Sequence, residues 1–207
     1  MKIINTDTWE RKQIFEHFSS FVDPYFGLVI PFNVSKAYQF SKENNISFFA
    51  KYLHDSLKAI NAVDNLKLRI LDGKVVQYDV INASTTMLRE NKTFGFSFFN
   101  YDEDLNVFIK NLESEKERIN NSNELYPPTN TLDCIHSSAI PWVNFKGERQ
   151  PLSGRPDSVP KLAFSKAEKI NRELVMNVSI HANHALVDGY HIGQFAEKFQ
   201  HFLNQKN

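Results

Sequence analysis

The sequence predicts an α+β fold, a two-layer α/β sandwich in which helices pack on a mixed, mainly antiparallel sheet. Three observations carry that expectation. Segments of helical and strand periodicity are interspersed along the chain, with no repeat, low-complexity block or linker between them. Several strand pairs are separated by only a few turn-forming residues, as antiparallel neighbours are. The 207 residues, 42% hydrophobic and 23% charged, suit one folded domain over 1–207 rather than a disordered chain.

In chain order, the run from Asp7 to Phe21 carries a capping signature, Asp7 with Glu10 three residues on, followed by helical polarity. Phe26 to Val34 is apolar enough for a buried strand despite Pro31. Phe48, Phe49, Tyr52, Leu53, Leu57 and Ile60 fall on one face at helical spacing, predicting a helix over 47–63. Leu66–Leu71 and Lys74–Asp79 read as a hairpin about Asp72-Gly73, a strong two-residue turn signal. Lys92–Tyr101 is aromatic and alternating, hence a strand. Asp104–Asn121 reads as a charged helix with one apolar side, followed by a polar loop. Cys134–Phe145 reads as a strand interrupted at Pro141. Leu162–Ala167 and Glu173–Ala182 form a hairpin across Lys169–Arg172, and Tyr190–Leu203 is a closing helix.

Composition narrows the function classes. Lys plus Arg and Asp plus Glu are each 24, so no excess charge is available to hold nucleic acid or a membrane surface. The seven glycines, at 27, 73, 95, 147, 154, 189 and 193, make neither a dinucleotide fingerprint nor a Walker A loop. Cys134 is the only cysteine, which excludes an internal disulfide and a thiolate zinc site. The N-terminus has no apolar targeting region and no run is long enough to span a bilayer, so a cytoplasmic protein is expected. The 18 phenylalanines point to a ring-packed core and leave room for an aromatic ligand pocket.

Four of the seven histidines, His181, His184, His191 and His201, lie close together near the C-terminus, and the densest run is SIHANHALVDGYH over 179–191. It joins a predicted strand to a predicted helix. An imidazole, with an intrinsic pKa near ~6.5, suits proton removal near neutral pH, and Asp188, four residues beyond His184, sits where it can fix the loop or the ring. Spacing alone leaves three readings open: a structural histidine, a metal site from His181, His184 and Asp188, and a general base. The metal reading lacks a further ligand, and residues 181 and 184 of a strand face opposite ways.

Three blocks add a resemblance. HANHALVDGYH resembles the active-site signature H-H-x-x-x-D-G-[FY]-H of the chloramphenicol acetyltransferase family. SSAIPWVNF (Ser137 to Phe145) is similar to its S-A-[LI]-P-W-V-N-F, and TWERKQIFEHF to its W-x-R-x-x-x-F-x-[HF]-[FY] opening. The blocks stand in the family's order and span essentially the whole chain.

The resemblance implies direct transfer of an acetyl group from acetyl-CoA to an alcohol in a ternary complex. His184 would be the general base and Ser138 the hydrogen-bond donor to the oxyanion. Asp188 would pair with Arg11 and hold the loop rather than act as a triad carboxylate. Trp142 would line the CoA channel, and Lys166, equally readable as a solvated strand lysine, would lie near the CoA phosphates. Phe21, Leu28, Phe94 and Tyr126 fall at acceptor-pocket positions, each with a competing reading as core. Phe96 stands where the antibiotic-modifying members have alanine, which shrinks the pocket. Ala163 replaces a threonine that steadies a water, Asn183 replaces the first of two adjacent histidines, and residues 146–158 supply no clear apolar wall.

The implied activity is therefore acetyl-CoA-dependent O-acetylation, without a metal, of chloramphenicol or a related hydroxylated xenobiotic. A homotrimer with its active sites at subunit interfaces is implied as well. Two other readings stand beside it: the same chemistry with a different acceptor, and a trimeric binding or scaffold protein that has lost turnover.

Overall fold

The computed structural model describes residues 1–151 and 153–205. A short strand β1 (Lys2–Ile3) precedes helix α1 (Lys12–Ser19), strand β2 (Tyr25–Asn33) and helices α2 (Ser35–Glu43) and α3 (Phe48–Asn61). A 3-10 turn leads into the hairpin β3 (Leu68–Leu71) and β4 (Lys74–Gln77), then β5 (Asn82–Leu88), β6 (Phe94–Phe96) and helix α4 (Leu105–Asn120). Strands β7 (Cys134–Ile140), β8 (Lys161–Ser165), β9 (Glu168–Ile170) and β10 (Glu173–Asn183) precede the closing helix α5 (Gly189–Leu203).

The large sheet runs β2-β10-β8-β7-β5-β6, with β9 also paired to β10. Only β5–β7 and β7–β8 are parallel; the other pairs are antiparallel. Strand alternation gives the sheet two faces. Met176, Val178, Ile180 and Ala182 of β10 and Leu162 and Phe164 of β8 face the helices and are buried. Phe32 packs on Phe199 at 4.7 Å and Tyr52 on Phe164 at 4.8 Å, which ties α5 and α3 to this face. The outer face carries the alternate residues, and there the polar side chains align in rows. Ser84, His136, Lys161, His181 and Gly27 are in register across five strands, and so are Thr86, Ser138, Ala163, Ser179 and Val29 in the next row. Glycine is required at position 27 because a Cβ there would collide with the His181 ring lying over it.

Several sequence expectations hold closely. Ser47 caps α3 and Asp104 caps α4 through their side chains. Asp72 and Gly73 both have positive φ, as a tight primed turn requires. Others shift. The first helix begins at Lys12, not Asp7: Arg11 occupies the N-cap, and Asp7 takes part instead in a turn with Asn5 and an ion pair with Lys12. Strand β2 is an edge strand, half-exposed rather than buried, which is why Pro31 is tolerated and Leu28 lies 45% exposed. The aromatic stretch 92–101 forms only the short β6 and an isolated bridge between Ala83 and Phe99.

Candidate active site

His184 follows the last residue of β10, and its backbone N–H donates to the Pro24 carbonyl at 2.8 Å, extending the pairing with β2. Its ring stacks on Phe18 at 4.0 Å with an interplanar angle of 4°, and leans on Phe26 at 4.5 Å. Two aromatic faces thus fix the plane of the imidazole. Nδ1 is buried without a hydrogen-bond partner among the described residues.

The loop carrying this ring is tied from three sides. Arg11 Nη1 donates to Asp188 Oδ2 at 2.5 Å, and Arg11 Nη2 reaches the His184 carbonyl at 3.4 Å. Asp188 is also the N-cap of α5: Oδ1 accepts from the Tyr190 N–H at 3.1 Å, and its own N–H donates to His191 Nδ1 at 3.1 Å. Burial by itself would raise the Asp188 pKa, but the hydrogen bond from Arg11 and the charges of His191 and Arg11 override it and hold the carboxyl below its ordinary value. Burial pushes the His191 imidazole down, opposed by Asp188 and aided by Arg11. The neutral ring accepts the Asp188 N–H at Nδ1, so although Nδ1 also lies 3.0 Å from Asp188 Oδ1, it carries no proton toward that oxygen. Asp188 makes its contacts with Arg11 and the helix start, and none with the His184 ring.

Ser138 sits elsewhere, on the outer face of β7. Its hydroxyl is 3.0 Å from Thr86 Oγ1, its in-register neighbour on β5, and it lines a cavity of 570 Å3 with Phe94, Phe96 and Tyr126. Phe96 packs on Phe94 at 5.5 Å and on Tyr126 at 5.6 Å, so the benzyl group in the position of the family's alanine does occupy the cavity wall. From the described residues of the segment after Phe145, Gln150, Pro151, Ser153 and Asp157 line the cavity, three polar groups and one proline. Glu148 accepts from Ser179 Oγ at 2.5 Å and lies 3.3 Å from His181 Nδ1 without the alignment of a hydrogen bond. Ala163 is directly opposite Ser138 in register, and Asn183 is buried, its amide donating to the Asp157 carbonyl at 3.0 Å.

The remaining expected residues divide between these two places. Phe21 lies beside Phe18 at 5.2 Å, in the aromatic group around His184. Leu28 is on the exposed edge strand, away from the cavity lining. Trp142 is 67% exposed just beyond β7, and the Lys166 N–H donates to the neighbouring Val143 carbonyl at 2.9 Å, so Trp142 and Lys166 share one surface. Within one chain, His184 and Ser138 do not meet. Ser138 is level with Ser179 across two strand spacings. Five further residues of extended chain to His184 then put the two ~20 Å apart. Sequence reasoning missed Phe18, Phe26, Thr86 and His136. Phe18 had a signal, since it lies seven residues from Arg11 and so on the same helix face.

The sequence model of the chloramphenicol acetyltransferase family matches residues 1–200. The chain belongs to that family. Among its relatives, chloramphenicol acetyltransferase 3 of Escherichia coli is 25% identical over 204 residues, covering 96% of this chain and 94% of its own. A chloramphenicol acetyltransferase of Clostridium perfringens is 24% identical, with 97% of both chains covered. A solved chloramphenicol acetyltransferase superposes with a TM-score of 0.87 at 28% identity, over 98% of this chain and 99% of that one. The cubic core of a pyruvate dehydrogenase multienzyme complex matches with a TM-score of 0.69 at 10% identity, over 93% of this chain and 86% of that one, and shares the fold. No helix among the described residues is long and apolar enough to cross a membrane.

Proposed function

We propose that this family member is a cytoplasmic acetyl-CoA-dependent O-acetyltransferase, acting as one domain over 1–207, which acetylates a hydroxyl of chloramphenicol or a related xenobiotic by direct transfer. The observation that carries the reading is the His184 ring, clamped between Phe18 and Phe26 and anchored through Arg11 and Asp188, with one nitrogen left free. Nε2 takes the proton of the acceptor hydroxyl as its oxygen attacks the thioester carbonyl; Nδ1 carries the ring's own proton. Ser138 donates to the oxyanion. Thr86 Oγ1, at 3.0 Å, orients that hydroxyl so that its proton is free for the developing charge. Collapse of the tetrahedral intermediate releases CoA thiolate, which takes the proton back from His184.

Because base and oxyanion donor lie ~20 Å apart along the sheet of one chain, this chemistry needs them from two copies. We therefore assign the active site to a subunit interface of a homotrimer, where Nε2 of one copy faces the Ser138 cavity of the next. Exposed Trp142 and Lys166 fit a CoA contact: an apolar ring and a cation with no ion pair among the described residues, on one surface beyond Ser138. A different acceptor for the same chemistry is favoured by one observation: Phe96 stands in the cavity wall, and its ring leaves less room than an alanine there would. The test is thiol release from acetyl-CoA with chloramphenicol as acceptor, by the wild type and His184→Ala. Loss of turnover with CoA binding retained is expected. Undiminished transfer by the variant rejects the base assignment.

A further inference from the structure

The loop from His184 to Asp188 is held mostly at its ends or by turning back on the strand it leaves. The Ala185 N–H donates to Asn183 Oδ1 at 3.0 Å, and the Leu186 and Val187 N–H groups both donate to the Asn183 carbonyl at 3.0 Å. Arg11 reaches the His184 carbonyl at one end, and His191 accepts the Asp188 N–H at the other. The middle of the loop has a further tie. The carbonyl of Leu186, a residue 1% exposed, accepts Asn65 Nδ2–H at 2.8 Å, its one hydrogen bond among the described residues. A carbonyl can only accept, so the NH2 end of the amide is the end that faces it. Asn65 itself stands on a rigid turn. It belongs to the single 3-10 turn Asp64–Lys67 after α3, where the next residue, Leu66, is fully buried in the core and donates its N–H to the Val63 carbonyl at 3.0 Å. The buried Arg69 guanidinium donates from Nη1 to the Leu66 and Leu68 carbonyls at 2.9 and 2.7 Å, which locks the turn.

We propose that Asn65 is a positioning residue for the acetyl transfer: its amide fixes the centre of the His184 loop against the helical layer and so keeps the imidazole stacked on Phe18. The inference rests on the acetyl-transfer reading in taking His184 as the base. Arg11 and Asp188 hold the loop at its two ends, and a segment fixed only there can still pivot between them. Without the amide, the Leu186 carbonyl is left buried and unpaired, and the loop relieves this by turning the carbonyl towards water. Solvent lies on that side, in a cavity of 420 Å3 that Asn65 lines with Trp9, Gln77 and Tyr190. The turn carries the ring, two residues away, off Phe18, and a displacement of ~1 Å is enough to lower turnover ~100-fold. A side chain shorter than asparagine lets a water enter from the cavity and take the amide's place, whereas an apolar one of similar length shuts it out.

The test replaces Asn65 by leucine, aspartate and alanine in the full chain. It measures kcat and KM for thiol release from acetyl-CoA, and the NMR shifts of the His184 ring protons. In the wild type, stacking at 4.0 Å on Phe18 places those protons in the ring current of the phenyl group and shifts them upfield. Asn65→Leu should lower kcat about 10- to 100-fold, leave KM for acetyl-CoA unchanged, and return the His184 protons towards the shifts of an unstacked histidine. Asn65→Asp keeps the shape but, once ionised, can only accept, so it should behave as Asn65→Leu does. Asn65→Ala should lose least, because water reaches the carbonyl. A role confined to stability would lower Tm alone, and unchanged kcat and His184 signals in folded Asn65→Leu overturn the assignment. A loss that appears only in KM overturns it too. The wild type decides the matter even where the variants fail to fold: Asn65 side-chain N–H protons that exchange with water as fast as those of a free amide also overturn it. Thiol release separates the two claims. A wild type without acetyl transfer refutes the proposed function, whereas wild-type turnover with His184 signals unmoved in Asn65→Leu refutes the role of Asn65.

Discussion

Replacing Asp188 by asparagine removes one charge and little else. Asparagine caps a helix about as well as aspartate, so the start of α5 is kept. What is lost is the anion facing Arg11, whose side chain is 13% exposed and whose Nε has no partner of its own. Breaking a fully buried pair costs ~3 to 5 kcal/mol; with Asp188 30% exposed, water recovers part of this, and about 2 kcal/mol is the expected loss. For a chain of this length that lowers Tm by ~4 to 8 °C. Because Arg11 also holds the His184 carbonyl, the imidazole loses its anchor, and a displacement of ~1 Å lowers turnover by ~100-fold. Thermal unfolding and thiol release, measured on Asp188→Asn, Arg11→Met and the double variant, check the argument. The double variant should regain stability over Asp188→Asn, because no unpaired guanidinium remains. An unchanged Tm in Asp188→Asn, or strictly additive losses in the double variant, refutes the reasoning.

Other outcomes follow from the same contacts. Ser138→Ala should lower kcat ~100- to 1000-fold with little change in KM for acetyl-CoA, by steady-state kinetics; a normal kcat removes Ser138 from the oxyanion site. Phe96→Ala should lower KM for chloramphenicol by opening the cavity wall, and a raised KM means the ring is itself a contact or a support. Burial holds His136 and His191 below their ordinary 6.5, so below that pH the unfolded chain binds more protons than the folded one. The urea midpoint should therefore be flat above pH 7 and fall from pH 6.5 towards 5; a midpoint that rises over that interval contradicts the neutral state of both rings. Asp157 and Asp188, held below their ordinary 3.8, add a second loss as pH drops under that value.

What was legible in the sequence was local. Asp72-Gly73, Ser47 and Asp104 specify turns and caps through their own backbone and side chains, and the structure places them so. Strand β5 (NASTTML) went unread because small polar residues carry almost no periodic signal, and helix α2 because it buries only Ala37 and Ser41 along its length; β5 is a strand because β7 and β6 pair with it on either side. The apolar spacing of α3 did not announce that Lys51 and Asp55 are also buried, which their ion pair at 2.7 Å makes possible. For the candidate site, motif order named His184, Ser138, Asp188 and Arg11, and the Arg11–Asp188 pair is present as expected. The partners that set their chemistry come from cross-strand register, which spacing along the chain does not contain: Thr86 beside Ser138, and the row holding His136 and Lys161. The split between His184 and Ser138 is of the same kind, a consequence of sheet order.

That split is the account's central claim, and subunit mixing tests it most directly. His184→Ala and Ser138→Ala chains, each inactive alone, are unfolded together in equal amounts, refolded, and assayed for thiol release with acetyl-CoA and an acceptor alcohol. If each site takes its base from one copy and its oxyanion donor from another, random mixing leaves about a quarter of the sites with both groups intact, and about a quarter of the activity of similarly refolded wild type returns. A mixture as inactive as either variant alone would contradict the interface site.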